Sequence, residues 1–503
     1  MMEKPSASFN SLSLPNSTDD KSAILARDLD VLLIEGPSRL LGLRLWLYQP
    51  PHIPASDMVH VDVEHFAAYM ALHPFYFKYV KDVGFITPSN EVVSSSMIIL
   101  SHSLLEHASN MHTLHFEVHA GVGAGNLFPR SPLSCRNLQH LSIHGFNDET
   151  GVLLKNIVAP LKTLEVSTEE KAKFNIIAEF SSFAVTLEEL RASIFPSQIK
   201  RPLYCVIYPR IHLLSLSVRR PRIGLLIDAF PNLTSLYLHP DCVPDIVEAY
   251  NDYNGGREDE DEGNGSTERE APVGIRYGFW SQLDLVDSNV LTLYGSYRAC
   301  GANRMRLAGY TYESSLAGLC YTILRTARPR ILQVKLLINE YSSLHECMGD
   351  VNMKLANQMF GYPGLTHLTL VVQSQVNIDN VRRSIGGALE LSHYAKTLIY
   401  LRICIDFSNS NEVTLLQNSS LHIVEIYNHQ ALARSVAITF RSLEYFVVNF
   451  DRSGGGWSQT YGWKIVGRRM ERGNRELAKI NGSLLEDLTT EECRRLNDLT
   501  VAC

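Results

Sequence analysis

Three histidines are the residues of this sequence whose types and spacing could do chemistry. His140 and His144 lie close together on one short segment, and His115 precedes them. Neutral imidazoles on neighbouring strands can converge on a metal ion such as zinc. The alternative, which we favour, is that these are ordinary surface histidines of a sheet. We therefore predict no metal site.

A glycine-rich run is the second candidate for chemistry. Gly121-Val-Gly-Ala-Gly-Asn resembles a phosphate-binding loop, but it lacks the G-x-G-x-x-G spacing and the P-loop lysine. A loop between two elements explains it better. The sequence contains no G-x-S-x-G, H-E-x-x-H or kinase signature, and its acidic residues concentrate in a segment too flexible to preorganise a general acid or base. We expect a protein that is not an enzyme and has no cofactor.

The elements that must position the polar side chains are short strands that recur along the chain. The pattern apolar-x-x-apolar-x-apolar repeats at nearly regular intervals. After a gap it returns, first at wider intervals and then at intervals similar to those before the gap. The triplets are Met111/Leu114/Phe116, Leu138/Leu141/Ile143, Leu161/Leu164/Val166, Leu187/Leu190/Ala192, Ile211/Leu214/Leu216, Leu233/Leu236/Leu238, Ile331/Val334/Leu336, Leu365/Leu368/Leu370, Leu398/Leu401/Ile403, Leu421/Val424/Ile426 and Leu443/Phe446/Val448.

Most of these intervals fall in or near the length range that is typical of leucine-rich repeats. The last two apolar positions alternate on a short strand and point inward, and the first closes the turn before it. Helical stretches at 316–328, 351–360 and 381–395 each precede a strand. We predict an α/β fold, an irregular leucine-rich-repeat solenoid (a horseshoe) with inner parallel strands and outer helices. The alternative is a non-repetitive α/β domain.

Strand alternation also predicts which side chains point outward, onto the concave surface of such a solenoid. Tyrosine and arginine are enriched among the anchors of protein interfaces. We therefore interpret this face as a protein-recognition surface. Its candidate residues are His115, Glu117, His140, His144, Tyr237, His239, Tyr400, Arg402, Glu425, Tyr427 and Tyr445.

Charge, the N-terminal sequence and cysteine usage argue against a nucleic-acid-binding, membrane-binding or secreted protein. The net charge is −7, and residues 257–271 alone hold seven acidic residues against two arginines, so we expect neither a nucleic-acid nor a membrane partner. Residues 1–20 have no apolar core typical of a secretory signal. The nine cysteines form no C-x-x-C pair, which is typical of buried thiols in a reducing compartment. We expect a cytoplasmic or nuclear protein.

Three regions follow from these patterns. Residues 1–65 form an N-terminal segment that is partly disordered or a degenerate module of its own. Residues 66–450 form the repeats, with an acidic, disordered insertion at 251–272. Either an insertion interrupts the array between Leu238 and Ile331, or one or two degenerate repeats are hidden near Leu283 to Leu293. Residues 451–503 form a C-terminal cap, with a final strand beginning at Trp463 and a helical tail over 471–499.

The chain resembles the fungal F-box and leucine-rich-repeat-like proteins over about residues 65 to 470. The matching features are the entry Leu72-His-Pro-Phe-Tyr-Phe-Lys-Tyr-Val-Lys-Asp-Val-Gly-Phe-Ile86, the Phe-Pro-Asn-Leu233 and Tyr-Pro-Gly-Leu365 repeats, and the late Trp463-Lys-Ile-Val strand. This family usually begins with an F-box, a helical module that docks onto the Skp-family adaptor of a cullin ubiquitin ligase. Here Leu14-Pro15 is followed by a polar run, and Gly36-Pro37 interrupts the next apolar segment. The F-box itself is not recognisable, so the resemblance implies that residues 1–65 are partly disordered or a degenerate F-box-like module.

The resemblance implies a receptor that binds protein substrates for ubiquitination, with the Skp-family adaptor and a cullin as further partners. Without a functional F-box, the alternative is a stand-alone scaffold that binds proteins without ligase attachment. The ligase alternative requires residues 1–65 to form a compact three-helix unit with an exposed apolar face.

Deleting residues 255–271 tests the interpretation of the acidic insertion. We expect the melting temperature to stay almost unchanged, because this polar segment has little that could be buried. Differential scanning calorimetry of the deleted and full-length chains measures the effect. Unfolding of the deletion variant at ambient temperature would show that the segment is structural.

Overall fold

The computed structural model describes the larger part of the chain, in two compact units. The first unit comprises Met1–Pro196 with Tyr208–Ile211, and the second comprises Ser197–Ile207 with His212–Cys503. The described residues are 44–48, 59–62, 70–72, 74–86, 95–117, 135–145, 151, 154–155, 157–167, 176–193, 206–217, 223–239, 280–294, 300–311, 314–337, 359–373, 378–407, 429–452, 457–467, 484–489, 491–493 and 495.

The first unit contains a parallel sheet. Its strands are β1 (Arg44–Tyr48), β2 (Val59–Asp62), β3 (Asp82–Ile86), β4 (Thr113–Glu117), β5 (His140–His144), β6 (Thr163–Ser167) and β7 (Glu189–Ser193). β1 pairs with both β2 and β3, and β3 to β7 then pair in chain order. Its helices are α1 (Ser95–His107) and α2 (Ile176–Glu179), with 3-10 turns at Pro74–Tyr79 and Ser181–Phe183.

The second unit continues the same α/β pattern. Its strands are β8 (Leu213–Ser217), β9 (Ser235–His239), β10 (Trp280–Asn289), β11 (Cys300–Thr311), β12 (Ile331–Leu337), β13 (His367–Gln373), β14 (Tyr400–Asp406), β15 (Tyr445–Arg452), β16 (Trp457–Gly467) and β17 (Leu484–Asp487). Its helices are α3 (Ile223–Ala229), α4 (Val290–Tyr294), α5 (Ser314–Ala327), α6 (Ile378–Ser392) and α7 (His429–Thr439). β8 to β15 pair in parallel, and β15, β16 and β17 pair antiparallel. The predicted α/β class with parallel strands is confirmed, as an open, mostly parallel sheet.

The core of each unit consists of apolar side chains stacked in register from strand to strand. In the first unit Leu114, Leu141 and Leu164 are opposite one another, and Phe116 and Ile143 form the next row. All of them are buried. In the second unit the same two buried rows run through Leu236/Leu238, Leu332/Val334, Leu368/Leu370, Leu401/Ile403 and Phe446/Val448.

A recurring tight turn leads into the strands and explains the first apolar position of the triplets. Leu138 N–H donates to the Cys135 carbonyl, and Leu233 N–H donates to the Phe230 carbonyl. All four side chains are buried, because the turn folds its first residue under the sheet. At the first of these turns a side chain adds a further hydrogen bond: Asn137 Nδ2 donates to the Ser109 carbonyl, before β4, at 3.0 Å.

Aromatic rings close the core of the second unit at its C-terminal end. Trp463 on β16 stacks on Phe446 with ring centroids 5.7 Å apart, and Tyr461 stacks on His429 of α7 at 3.9 Å. Because β16 runs antiparallel to β15, it ends the parallel series. A strand is present at the predicted place, but it begins at Trp457 and is not the final one, since β17 follows it.

Several finer predictions are wrong. Ile331 does not close a turn: it pairs with His367 on the side away from the core, and Pro329 is buried before the strand instead. The predicted helical tail includes a strand, β17, because its backbone pairs with β16.

The boundaries of the sheet also differ from the prediction. The sheet begins before residue 66, since β1 and β2 belong to it. The stretch near Leu283 to Leu293, where hidden repeats were one alternative, contains β10 and α4. Leu421/Val424/Ile426 and the insertion 251–272 lie outside the described residues.

Truncation of one inward leucine measures the contribution of the stacked core. We expect Leu236→Ala or Leu368→Ala to lower the free energy of unfolding by about 2 to 5 kcal/mol, because each leucine is fully buried and leaves a cavity. Chemical denaturation followed by circular dichroism measures this change. Ser235→Ala, on the opposite side of β9, is the matched control and should change stability by about 0.5 kcal/mol or less. Losses below about 1 kcal/mol at both leucines are incompatible with stacked burial.

Candidate interaction surface

Side chains of each strand that point away from the core form a polar face, which we define separately for each unit. Strand alternation places them there, between the two inward apolar positions. In the first unit the strand burial alternates, with these outward positions half-buried or exposed. Its members on β4 to β7 are Thr113, His115, Glu117, His140, Ser142, His144, Thr163, Glu165, Ser167, Glu189, Arg191 and Ser193.

His144 connects two strands of this first polar face. Its Nδ1 lies 2.9 Å from Ser167 Oγ on the neighbouring strand, and its Nε2 lies 3.2 Å from Ser142 Oγ on its own strand. A neutral imidazole has one donor and one acceptor nitrogen, and the two serine hydroxyls match both. The ring is therefore held in a defined orientation.

His115 lies beside this ring on β4. The two imidazole centroids are 5.1 Å apart. Burial, and secondarily the neighbouring imidazole of His144, lower the pKa of His115 to about 4. His115 is therefore neutral at physiological pH and presents a hydrogen-bonding, uncharged ring.

The chemistry open to this arrangement is limited. The distance from His144 to the Ser167 hydroxyl would suit a general base and its nucleophile. The other ring nitrogen faces Ser142 rather than a carboxylate, so it lacks the anion that stabilises an imidazolium in serine hydrolases. Within the described part of the chain, no group of three or more histidine, cysteine or acidic side chains is placed to hold a metal ion.

The polar face of the second unit carries more charge. Tyr237, Asp287 and Arg306 are in register on β9, β10 and β11. Arg306 Nη1 lies 3.6 Å from Asp287 Oδ2. Burial raises the pKa of Asp287, although the charges of Arg306 and His239 oppose this shift. Asp287 and Arg306 therefore form a partly desolvated pair beside Tyr237.

A second ion pair spans three strands of the same unit. Lys335 Nζ on β12 lies 3.5 Å from Asp406 Oδ2 on β14, so the lysine side chain crosses β13. The Asp406 side chain is almost fully buried. A buried carboxylate needs such a partner, because removing its charge from water is otherwise costly.

Arg402 and Asn449 form a polar network at the next strands. The Asn449 amide lies 2.6 Å from Thr460 Oγ1 and 3.6 Å from Cys404 Sγ. With its oxygen turned toward Arg402, the amide accepts from the guanidinium at 3.3 Å. Asn449 and Cys404 are both buried although they point away from the core.

The structure places most of the predicted surface residues on the polar faces. His115, Glu117 and His144 are half-buried and His140 is exposed in the first unit. In the second unit Tyr237, Arg402 and Tyr445 are half-buried and His239 is exposed. His115 and His144 come together, as do the rings of Tyr237 and His239, at 6.2 Å. Glu425 and Tyr427 lie outside the described residues.

Tyr400 is the exception. It points away from the core but is only 1% exposed, so its assignment as an accessible surface residue is wrong. Its ring lies 5.7 Å from His367, and the Cys493 thiol is near enough to help raise its pKa. The side chains around Tyr400 therefore include one, Cys493, that is distant from it along the chain.

The sequence analysis missed the charged residues Asp287, Arg306, Lys335 and Asp406. Asp287 and Arg306 lie on strands without a clear repeat triplet, so local alternation gives no register there. For Lys335 the signal is present, since Val334 is an inward residue of a triplet, and its neighbours on the strand must point outward.

The sequence matches no known protein-family model and no curated protein. None of the helices in the described residues is long and apolar enough to cross a bilayer. The interpretation of the polar faces therefore depends on the geometry above.

The His115 ring gives a direct test of this geometry. We expect its NMR titration midpoint near pH 4, below the ordinary value of 6.5, because the ring is desolvated and faces His144. The folded state then binds fewer protons than the unfolded state, so stability should fall as pH decreases from about 6.5 to about 4. His115→Gln should reduce this loss. In His144→Gln the midpoint should rise but stay below 6.5, since burial is the larger cause. A wild-type midpoint at 6 or above would contradict the described packing.

Proposed function

We propose that this protein is a non-enzymatic leucine-rich-repeat solenoid that binds another protein through its polar faces. The observation that carries this proposal is the regular division of the strands into two sides. One side stacks apolar pairs in register, and the other presents histidine, tyrosine, arginine and serine side chains in rows. Parallel strands at short chain intervals with helices between them support the leucine-rich-repeat assignment.

The types of side chain on the polar faces favour a protein partner. Tyrosine and arginine contribute disproportionately to binding when they are packed in an interface. Tyr237 lies beside the Asp287–Arg306 pair, and His239 on the same strand is exposed. This combination of an aromatic ring, an ion pair and an exposed imidazole fits recognition of a peptide segment with both apolar and polar groups.

Attachment to a cullin ubiquitin ligase through a Skp-family adaptor is the extension that the family resemblance implies. The strands β1 and β2 lie before residue 66 and pair into the sheet, so a helical F-box would have to be confined to residues 1–43. The alternative is a stand-alone scaffold without ligase attachment. We place either protein in the cytoplasm or nucleus, since the described cysteines, Cys135, Cys320, Cys404 and Cys493, are buried free thiols.

Affinity purification from cell extract, followed by mass spectrometry, tests the proposal. We expect the double variant Tyr237→Ala/His239→Ala to lose proteins that co-purify with the full-length chain, because these side chains lie on the polar face. Ile438→Ala is the matched control, since Ile438 is exposed on α7 in the same unit. Identical co-purifying proteins in all three samples would contradict a role for this face.

The same experiment separates the two alternatives when a chain lacking residues 1–43 is included. This boundary leaves β1 intact. Recovery of the Skp adaptor and a cullin with the full-length chain, and their loss with the shortened chain, would support a ligase receptor. Absence of both from the full-length sample would favour the stand-alone scaffold.

A further inference from the structure

The polar face of the second unit is closed at its C-terminal strands. Val447 on β15 pairs with Arg402 and Gly462, so it lies on the polar face. It is nevertheless completely buried, as is Tyr400. Tyr237 and His239 on β9 of the same face are half-buried and exposed. The polar face is therefore covered at β14 to β16, whereas it is open at β9.

The cover is a short stretch of the chain itself, of which residues 488–489 and 491–493 are described and which we call the strap. Leu488 N–H donates to the Gly462 carbonyl at 2.9 Å. The Cys493 side chain is only 2% exposed. A Cβ on Gly462 would collide with Cys493 Sγ and lie 3.2 Å from Leu488 Cδ1. Because Gly462 is opposite Val447 on the polar side of β16, the strap lies on the polar face.

The strap has its own local structure. Thr489 and Glu492 form a capping box: Thr489 N–H donates to Glu492 Oε2 at 2.8 Å, and Glu492 N–H donates to Thr489 Oγ1 at 3.2 Å. These bonds are within the strap and are exposed, so they do not attach it to the sheet. The strap continues directly from β17, which pairs with β16, and its contacts with the sheet include the Leu488 bond to Gly462 and the packing of Leu488 and Cys493 against Gly462.

We expect a segment held by so few contacts to open more readily than the sheet beneath it. Local openings of this kind require less free energy than global unfolding, because they break few buried contacts. The residues beneath the strap differ from those of an apolar core, because one of them is charged. Arg402 lies next to Val447, and its buried Nε atom has no hydrogen-bond partner among the described residues. A guanidinium is suited to bind an acceptor group brought by a peptide.

We propose that the strap is a removable cover of the polar face: it releases while the sheet stays folded, and its release uncovers Tyr400, Arg402 and Val447 for a protein partner. Binding of a protein partner to the uncovered residues rests on the proposed function, whereas release of the strap does not depend on it. In the closed state the chain occupies its own binding surface.

Native-state thiol labelling of the full-length chain tests the release. Cys493 reports on the strap, and Cys320, fully buried in α5, reports on global unfolding. With N-ethylmaleimide under native conditions, we expect Cys493 to be labelled at least tenfold faster than Cys320. Mass spectrometry of the digested protein resolves the two sites. Equal rates would show that the strap opens only when the protein unfolds, and would overturn the proposal.

Gly462→Ala gives a second, independent comparison. The added methyl group collides with Cys493, so we expect faster labelling of Cys493 and faster hydrogen exchange at the Leu488 amide, with Cys320 labelling unchanged. Gly386→Ala is the matched control, because a Cβ there meets nothing within 4 Å. Acceleration at Cys320 together with Cys493 would mean that the strap is part of the core, which contradicts the proposal. If labelling behaves as expected but Gly462→Ala gains no co-purifying protein, the strap is removable and the proposed function fails at this patch.

Discussion

In-register stacking of two alternate apolar side chains per strand is the constraint on which the rest of this structure depends. A single short strand with two inward side chains cannot exclude water from them. Leu114 and Phe116 become fully buried because Leu141 and Ile143 lie beside them on the next strand. The backbone ladder follows this registry, since one carbonyl, such as that of His112, accepts from both Gln139 and His140 at the next strand. Each strand is thus stabilised by its neighbours.

A stack of this kind has ends, and the C-terminal end of the second unit is closed on both sides. On the core side Trp463 and Tyr461 stack on Phe446 and His429. On the polar side Cys493 of the strap packs against Gly462, which is opposite Val447, and lies near Tyr400. Gly462 permits this second closure, because only a residue without a side chain leaves room for Cys493. The two closures differ physically, since the first is an aromatic core and the second is a short segment packed over polar groups.

The polar faces are a consequence of the same registry. Side chains that do not enter the core must point the other way, and residues at equal positions of successive strands then align in rows. Such a row brings Tyr237, Asp287 and Arg306 together although each comes from a different strand and the first is far from the last along the chain. It also holds the His115 and His144 rings 5.1 Å apart. Recognition by this protein would therefore use side chains that the core registry aligns.

Much of this architecture could be predicted from spacing. The triplets located the inward residues of most strands, and the stretches 316–328 and 381–395 predicted helices that begin at Ser314 and Ile378. Prediction was poorest where the apolar triplet was weak, or where a residue packs against a part of the chain that is distant in sequence. The long connection between β9 and β10 obscured the period of the next two strands, and an error in register placed Ile331 on the wrong side.

By itself the sequence determined the α/β class, the period of the strands and the side of the sheet on which most residues lie, because these depend on local alternation and on the burial of leucine, isoleucine, valine and phenylalanine. Only the tertiary structure decided which outward residues are accessible. Tyr400 and Val447 follow the same alternation as Tyr237, yet both are buried: Cys493, from a distant part of the chain, lies near Tyr400 and packs against Gly462, the residue opposite Val447. Such coverage depends on how distant parts of the chain pack together, and no local pattern around the covered residue records it.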